Sequence, residues 1–152
     1  MTASDNETAI RAHLDKWLDA SRDMDLDALR ACYMPDMVSY DCHSAFQFRG
    51  IDTYAKHLDM CFSHMVAPAV IDVHELSVTA DENVAFCHMI MHCGCTSKSG
   101  SQHSSWLRST VCLRKIDGQW LVAHAHCSAP FDPMSSQAML DAGPQAQEGV
   151  AA

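Results

Sequence analysis

Two histidines near the end of the last predicted strand, His124 and His126, are separated by one residue. Alternate residues of a strand point to the same side, so the two imidazoles would lie about 6.6 Å apart on one face. With His88 from a neighbouring strand they could bind a divalent transition metal, because three histidines and an open position are typical of catalytic zinc. The spacing matches no established metal motif, and neutral imidazoles that hydrogen-bond a substrate are the more ordinary interpretation, so no cofactor is predicted.

Three further residues carry groups that could act on a substrate. Asp41 follows the predicted strand Met37–Tyr40 and could act as a general base, although an aspartate in that position also caps ordinary turns. Arg108 could pair with Asp41 or hold a carboxylate with its bidentate fork. Ser128 is a possible nucleophile, but no glycine pattern of a nucleophile elbow surrounds it.

The elements that would position these residues fall into two groups along the chain. Apolar residues at helical spacing predict an amphipathic helix from Glu7 to Met24 and a short one from Leu26 to Tyr33, and a third helix follows Gly50. From Val70 to Ser128 the chain alternates as four strands with turns, including the hairpin signal Asp117-Gly118. Helices segregated from an antiparallel meander predict an α+β fold. We expect one domain over residues 1–130 and an extended tail over 131–152.

Composition excludes several classes of partner. The 152 residues contain 10 Lys and Arg against 19 Asp and Glu, a net charge of −9 that disfavours nucleic acid and anionic membranes. The first residues form no basic leader, and no apolar run reaches the length of a membrane span. We therefore expect a cytoplasmic protein whose eight cysteines are reduced thiols.

Alternation divides each predicted strand into two faces of different chemistry. One face carries most of the histidines, whereas the other consists of small and apolar residues such as Met89, Met91 and Ala125. Such an apolar face is expected to be buried, and a homodimer interface is the simplest way to bury it. In the alternative, this face is the core of the monomer and the histidines face water.

Several runs along nearly the whole chain carry a family resemblance: ACYMPDMVSYD, RGIDTYAKHL, VAFCHMIMHCG, WLRSTVCLRKIDGQW and HAHCSAPFDP. With them the chain resembles SnoaL-like and ketosteroid-isomerase-like members of the nuclear transport factor 2-like superfamily. The resemblance implies a cone, in which a curved antiparallel sheet wraps around three N-terminal helices and leaves a pocket at its wide end. It also implies a homodimer through the convex face of the sheet.

The resemblance assigns roles to single positions. Asp41 matches the catalytic base of ketosteroid isomerases, whereas Trp17 stands where the family has a tyrosine and Thr110 where it has an acid. These two departures argue against steroid isomerisation itself. The family's apolar pocket positions match a mostly polar set here, which would put the histidine face on the concave side: His57, Phe86, His88, Ile90, His92, His124, His126 and Ser128.

These observations predict a small-molecule-binding protein that performs general acid–base chemistry of the isomerase, dehydratase or lyase kind. Asp41, His126 and Ser128 would be catalytic, and the remaining candidates would bind substrate: Trp17, His57, His88, His92, Arg108, Thr110 and His124. Three alternatives stay open. They are a metal enzyme using His88, His124 and His126, a metal-free carbonic anhydrase of the iota type using Thr110 and Ser128, and a non-catalytic association module.

Overall fold

The computed structural model describes residues 2–145, which form three helices and six strands. Their order along the chain is α1 (Ala3–Asp23), α2 (Leu26–Ala31), β1 (Tyr33–Tyr40), β2 (Phe48–Arg49), α3 (Ile51–Phe62), β3 (Met65–Ala80), β4 (Val84–Ser97), β5 (Gln102–Ile116) and β6 (Gln119–Ser128). The predicted α+β architecture is confirmed: one curved, unclosed sheet packs against the helices.

The six strands lie in the order β2-β1-β6-β5-β4-β3. Every neighbouring pair is antiparallel except β1 and β6, which are parallel, with Tyr40 opposite His126. Because parallel strands end at the same edge of a sheet, the residues that follow β1 meet the last residues of β6. This pairing creates the site described below.

Helix α1 is capped at its start and is anchored to the sheet near its N-terminus. Thr2 and Asp5 form a reciprocal capping box at its start, and Ile10 and Leu14 are almost fully buried. Asn6 is 2% exposed and connects the helix to β5 and to the turn between β3 and β4. Its amide nitrogen donates to the carbonyl of Asp81 (3.0 Å), and its amide oxygen accepts from Nζ of Lys115 (2.6 Å).

The core lies between the helices and the face of the sheet that carries the small and apolar residues. Cys87, Met89 and Met91 on β4 and Val111 and Leu113 on β5 are at most 7% exposed. The prediction that this face is a dimer interface is wrong, because the helices of the same chain cover it. The helix-facing side is the concave side, so the histidine face is the convex outer one, opposite to the prediction.

A β-bulge in β6 explains a second difference. Leu113 lies opposite Val122 and Cys112 opposite His124, so Ala123 is an extra residue. The sequence pattern put Trp120, Val122, His124 and His126 on one face, but Trp120 and Val122 are buried in the core and the two histidines face outward. An inserted residue exchanges the faces of everything after it, and alternation alone cannot reveal it.

The segment after β6 folds back onto the sheet, which differs from the extended arm expected for residues 131–152. Phe131 bridges to Ala138, and the backbone N–H of Trp106 donates to the carbonyl of Leu140 (2.7 Å). Gly143 then packs against the Trp106 indole so closely that a Cβ would lie 2.7 Å from a ring carbon. Residues 146–152 of the predicted tail lie outside the described residues.

Candidate functional site

A surface pocket of about 630 Å³ opens where β1 and β6 end side by side. The predicted catalytic residues Asp41, His126 and Ser128 all line it, and the folded-back segment covers one side with Ala138 and Leu140. The pocket also takes in three residues that the sequence analysis did not single out as a site: Cys42, His43 and Cys127.

Asp41 sits at the inner wall with its side chain only 13% exposed. Its Oδ2 accepts a hydrogen bond from the Tyr54 hydroxyl (3.0 Å), and its Oδ1 accepts from the backbone N–H of His43 (3.1 Å) and lies 3.2 Å from His43 Nδ1. Burial raises the pKa of Asp41, but the bonds from His43 and Tyr54 outweigh it, so the net pKa lies below the ordinary value. Asp41 is therefore ionised at neutral pH.

His43 is the complementary group at the mouth of the pocket, where its side chain is 63% exposed. Its hydrogen bonds to Asp41 and Cys42 raise its pKa to about 10 against the opposing effect of desolvation. The Nδ1 atom lies 3.3 Å from Cys42 Sγ. At neutral pH the site thus holds an imidazolium beside a carboxylate, which is a proton donor next to a proton acceptor.

Aromatic side chains support Asp41 from inside the cone. The rings of Tyr33 and Tyr54 pack edge to face with centroids 5.8 Å apart, and Trp17 Nε1 donates to the Tyr33 hydroxyl (2.7 Å). Burial raises the pKa of Tyr54 well above its usual range, so its hydroxyl remains a donor to Asp41. The predicted role of Trp17 as a donor to substrate is wrong, because Tyr33 accepts its N–H.

His57 does not line the rim pocket either. The residue is 7% exposed and stacks on Phe48 with ring centroids 4.5 Å apart, and its Nε2 lies 3.8 Å from Cys61 Sγ. Its apolar surroundings and thiol contact make it part of the core between α3 and β2 rather than the substrate-binding residue that was predicted.

Four other predicted substrate-binding residues lie on the convex outer face and do not line the pocket. His88 and Thr110 are neighbours across β4 and β5, Arg108 lies next to Ser128 without an ion pair to Asp41, and His92 stacks on Trp106 at 4.7 Å. The sequence comparison assigned the exposed side of β4 and β5 to the pocket, because alternation does not show which side of a strand faces the helices. The carbonic anhydrase alternative needs Thr110 in the pocket, but Thr110 lies on the outer face.

The two histidines of β6 have different surroundings: His124 packs within the sheet, and His126 lines the pocket. Nδ1 of His124 lies 2.8 Å from the carbonyl oxygen of Val38, and its ring packs edge to face on Tyr40 at 4.8 Å. His126 also contacts Tyr40, at 5.7 Å, but is exposed and reaches the pocket wall. Of the two, only His126 is placed to meet a ligand.

The predicted metal ligands do not converge. Thr110 on β5 lies between His88 and His126, so these histidines are two strand spacings apart, about 9.6 Å. Among the described residues, one group of donor atoms lies within 4.8 Å of one another, namely those of Asp41, Cys42 and His43. Their hydrogen bonds to one another and to Tyr54 satisfy this cluster without an ion.

Sequence reasoning missed Cys42, His43, Tyr54 and Cys127. One signal was available, since Asp, Cys and His are consecutive where a predicted strand ends at a candidate base. The contact of Tyr54 with Asp41 had no local signal, because it depends on how α3 docks against β1.

The profile of the SnoaL-like domain family matches residues 10–132. A nuclear transport factor 2-like protein of unknown function from Pseudomonas putida is 34% identical, with a TM-score of 0.85 over 95% of this chain and 100% of that one. A ketosteroid isomerase-like protein from Erwinia carotovora is 23% identical (TM-score 0.69, 80% of this chain and 93% of that one).

A putative scytalone dehydratase from Novosphingobium aromaticivorans has the same fold at 14% identity, with a TM-score of 0.75 over 83% of this chain and 85% of that one. No curated protein sequence matches the chain. None of the helices between residues 2 and 145 is long and apolar enough to cross a membrane.

Proposed function

Because this chain belongs to the SnoaL-like domain family, we propose that it is an enzyme that binds a small organic molecule in the rim pocket and performs general acid–base chemistry on it. The proposal rests on the contact between Nδ1 of His43 and Oδ1 of Asp41, which lie 3.2 Å apart at the pocket wall. It supplies an acceptor and a donor to one substrate.

The reaction class that fits this pair is elimination or isomerisation next to a carbonyl group. In an elimination, His43 donates its proton to the departing hydroxyl, Asp41 takes the proton from the carbon between hydroxyl and carbonyl, and water leaves. The lowered pKa of Asp41 makes it a weak base in the resting site. Donation by His43 removes the neighbouring cation, so Asp41 becomes a stronger base as the reaction proceeds.

Other pocket residues would bind and orient the substrate. His126 and Ser128 line the wall on β6, and an imidazole and a hydroxyl there can hydrogen-bond a carbonyl oxygen on which negative charge develops. Phe46 and Leu140 supply apolar contact area. Relatives of this fold named for isomerase and dehydratase chemistry generally need no cofactor, and the proposed step uses only groups of this chain.

The test is proton exchange with solvent at the carbon next to a carbonyl. The full chain is incubated in D2O with a panel of β-hydroxy ketones and unsaturated cyclic ketones, and deuterium uptake and product are followed by NMR. We expect Asp41→Asn to lose at least about 100-fold in rate. Asp36→Asn, an exposed carboxylate on β1, the strand that Asp41 follows, is the matched control. Binding without exchange would favour the association module instead.

We also propose that the protein is a cytoplasmic homodimer that pairs through the convex outer face. That face exposes Phe86 (48%), Val84 (57%) and Val70 (51%) beside its histidines, an apolar area that pairing would cover. All eight cysteines are free, which suits a reducing compartment.

A further inference from the structure

Two thiols meet at the rim of the pocket. Cys42 follows β1 and Cys127 is next to the last residue of β6, and the parallel pairing of these strands brings their sulfur atoms to 3.8 Å. Both residues line the pocket and are half-buried. We propose that Cys42 and Cys127 form a reversible disulfide in response to hydroperoxides, with Cys42 as the thiol that is oxidised first and Cys127 as its resolving partner.

The surroundings of the two thiols make them unequal. Cys42 has Nδ1 of His43 at 3.3 Å, whereas Cys127 lies deeper, against Cys42 and the carboxylate of Asp41. The hydrogen bond of the Cys127 thiol, together with that of His43, overcomes burial and lowers the pKa of Cys42 to about 5. The hydrogen bond to Cys42 and burial raise the pKa of Cys127, which therefore keeps its proton. A thiolate that is open to solvent beside a second thiol is the arrangement of redox-sensitive cysteine pairs.

The chemistry balances with a hydroperoxide as the oxidant. The Cys42 thiolate attacks one oxygen of H2O2, the O–O bond breaks, and the second oxygen leaves as hydroxide, which takes up a proton to become water. The Cys42 sulfenic acid is then attacked by the sulfur of Cys127, the S–O bond breaks, and its hydroxyl leaves as water with the Cys127 proton. Two thiols and one H2O2 give one disulfide and two water molecules, and sulfur loses two electrons.

The bond needs only a local movement. The sulfur atoms must close from 3.8 Å to a bond of about 2.05 Å, and Cys42 lies in the loop that follows β1. Cys42 stands between Asp41 and His43, so the disulfide would displace both. Displacement of Asp41 and His43 would stop the proposed reaction, and this consequence rests on the proposed function. Formation of the Cys42–Cys127 disulfide does not depend on that function.

The experiment treats the reduced full chain with one equivalent of H2O2, blocks remaining thiols with N-ethylmaleimide and maps the peptides by mass spectrometry. We expect a peptide pair joined through Cys42 and Cys127 that dithiothreitol separates. Cys127→Ser should instead accumulate Cys42 sulfenic acid, trapped by dimedone, and Cys42→Ser should leave Cys127 unmodified. Cys112→Ser, a half-buried thiol on the outer face, is the matched control and should still form the bond.

A second measurement needs no variant and so does not depend on folding of the mutants. In the wild-type chain, N-ethylmaleimide should modify Cys42 at least about tenfold faster than Cys112 at pH 7. Equal rates, no cross-link, or a cross-link from Cys127 to Cys93 would overturn the proposal. So would protection of Cys42 that EDTA removes, because it would show that a metal ion and not a free thiolate occupies the cluster.

Discussion

The Tyr54 hydroxyl donates a 3.0 Å hydrogen bond to Oδ2 of Asp41, joining the second turn of α3 to the residue that follows β1. This bond fixes one carboxylate oxygen inside the cone and leaves the other facing His43. The tyrosine is 8% exposed and cannot reach a ligand in the pocket. It is therefore a positioning residue, and its effect passes through Asp41.

Replacing Tyr54 with phenylalanine should change the pH dependence of the proposed reaction. The Tyr54 bond lowers the pKa of Asp41, so its loss raises that pKa and protonates the base at higher pH. We expect the acidic limb of the rate profile to move to higher pH. Tyr33→Phe removes the acceptor of the Trp17 hydrogen bond but keeps the hydrogen bond from Tyr54 to Asp41. The acidic limb of its rate profile should therefore stay in place. A profile of Tyr54→Phe that matches wild type would contradict this role.

The pair of Asp41 and His43 should also make stability depend on pH. The pKa of His43 is raised in the folded chain, so its contribution is complete below its unfolded pKa, about 6.5, and is lost as pH rises towards about 10. The pKa of Asp41 is lowered, so its contribution is present above about 3.8 and is lost as pH falls further. The pair therefore stabilises most between about pH 4 and 6.5.

The variant His43→Gln measures this contribution. We expect it to lower the free energy of unfolding by about 0.2–1 kcal/mol at pH 5.5, because the exposed imidazole is screened by water, and by much less at pH 10. Urea titrations across the pH range would show it, with exposed His64→Gln as control. Cys42 also contacts His43, so the titrations are repeated in the Cys42→Ser background. The stability difference that remains there is the contribution of Asp41. A deficit that grows towards pH 10 would refute the ion pair.

The outer face of the sheet should decide the oligomeric state. Phe86→Glu places a charge beside the exposed Val84 of β4, so a dimer paired there should dissociate to monomers in sedimentation velocity runs. Met60→Glu is the matched control, because Met60 is similarly exposed (52%) but lies on α3. A wild-type monomer at micromolar concentration, or dissociation by both variants, would argue against this interface.

The elements of this fold follow from local sequence, but the sides of its sheet do not. Ile10 and Leu14 at helical spacing and the turn at Asp117 predicted α1 and the β5–β6 hairpin, because those signals are local. Met89 and His88 are adjacent, and both faces of β4 contain apolar residues, so alternation could not show which side faces the helices. That choice depends on where the helices dock, which is a property of the whole fold.

The candidate site, too, was predicted where the signals are local and missed where it depends on contacts between distant elements. Asp41 was predicted from its position after a strand and its match to the family's catalytic base, and His126 and Ser128 from their alternation at the end of the last strand. All three line the pocket because β1 and β6 are parallel and end side by side. The inward role predicted for Trp17 failed because its indole already bonds a tyrosine that is distant in sequence. Contacts between elements decide which polar groups remain free for a ligand.

The close packing of Gly143 on Trp106 should hold the C-terminal segment over the pocket. In Gly143→Ala the new Cβ would lie 2.7 Å from the indole, and His92 stacks on the same ring at 4.7 Å, which restricts its movement. Release of the segment relieves this clash, which we expect to cost about 1–3 kcal/mol. Release also breaks the hydrogen bond from Trp106 to Leu140, which lines the pocket.

Limited proteolysis with chymotrypsin follows this release through cleavage at Phe131 and Leu140, both of which are partly exposed. We expect cleavage of Gly143→Ala to be roughly 5- to 150-fold faster than wild type when opening of the segment limits access. In Trp106→Phe the smaller ring leaves room for the methyl group, so adding Gly143→Ala to that variant should change the rate little. Equal acceleration in both backgrounds would mean that the methyl group acts on something other than the indole.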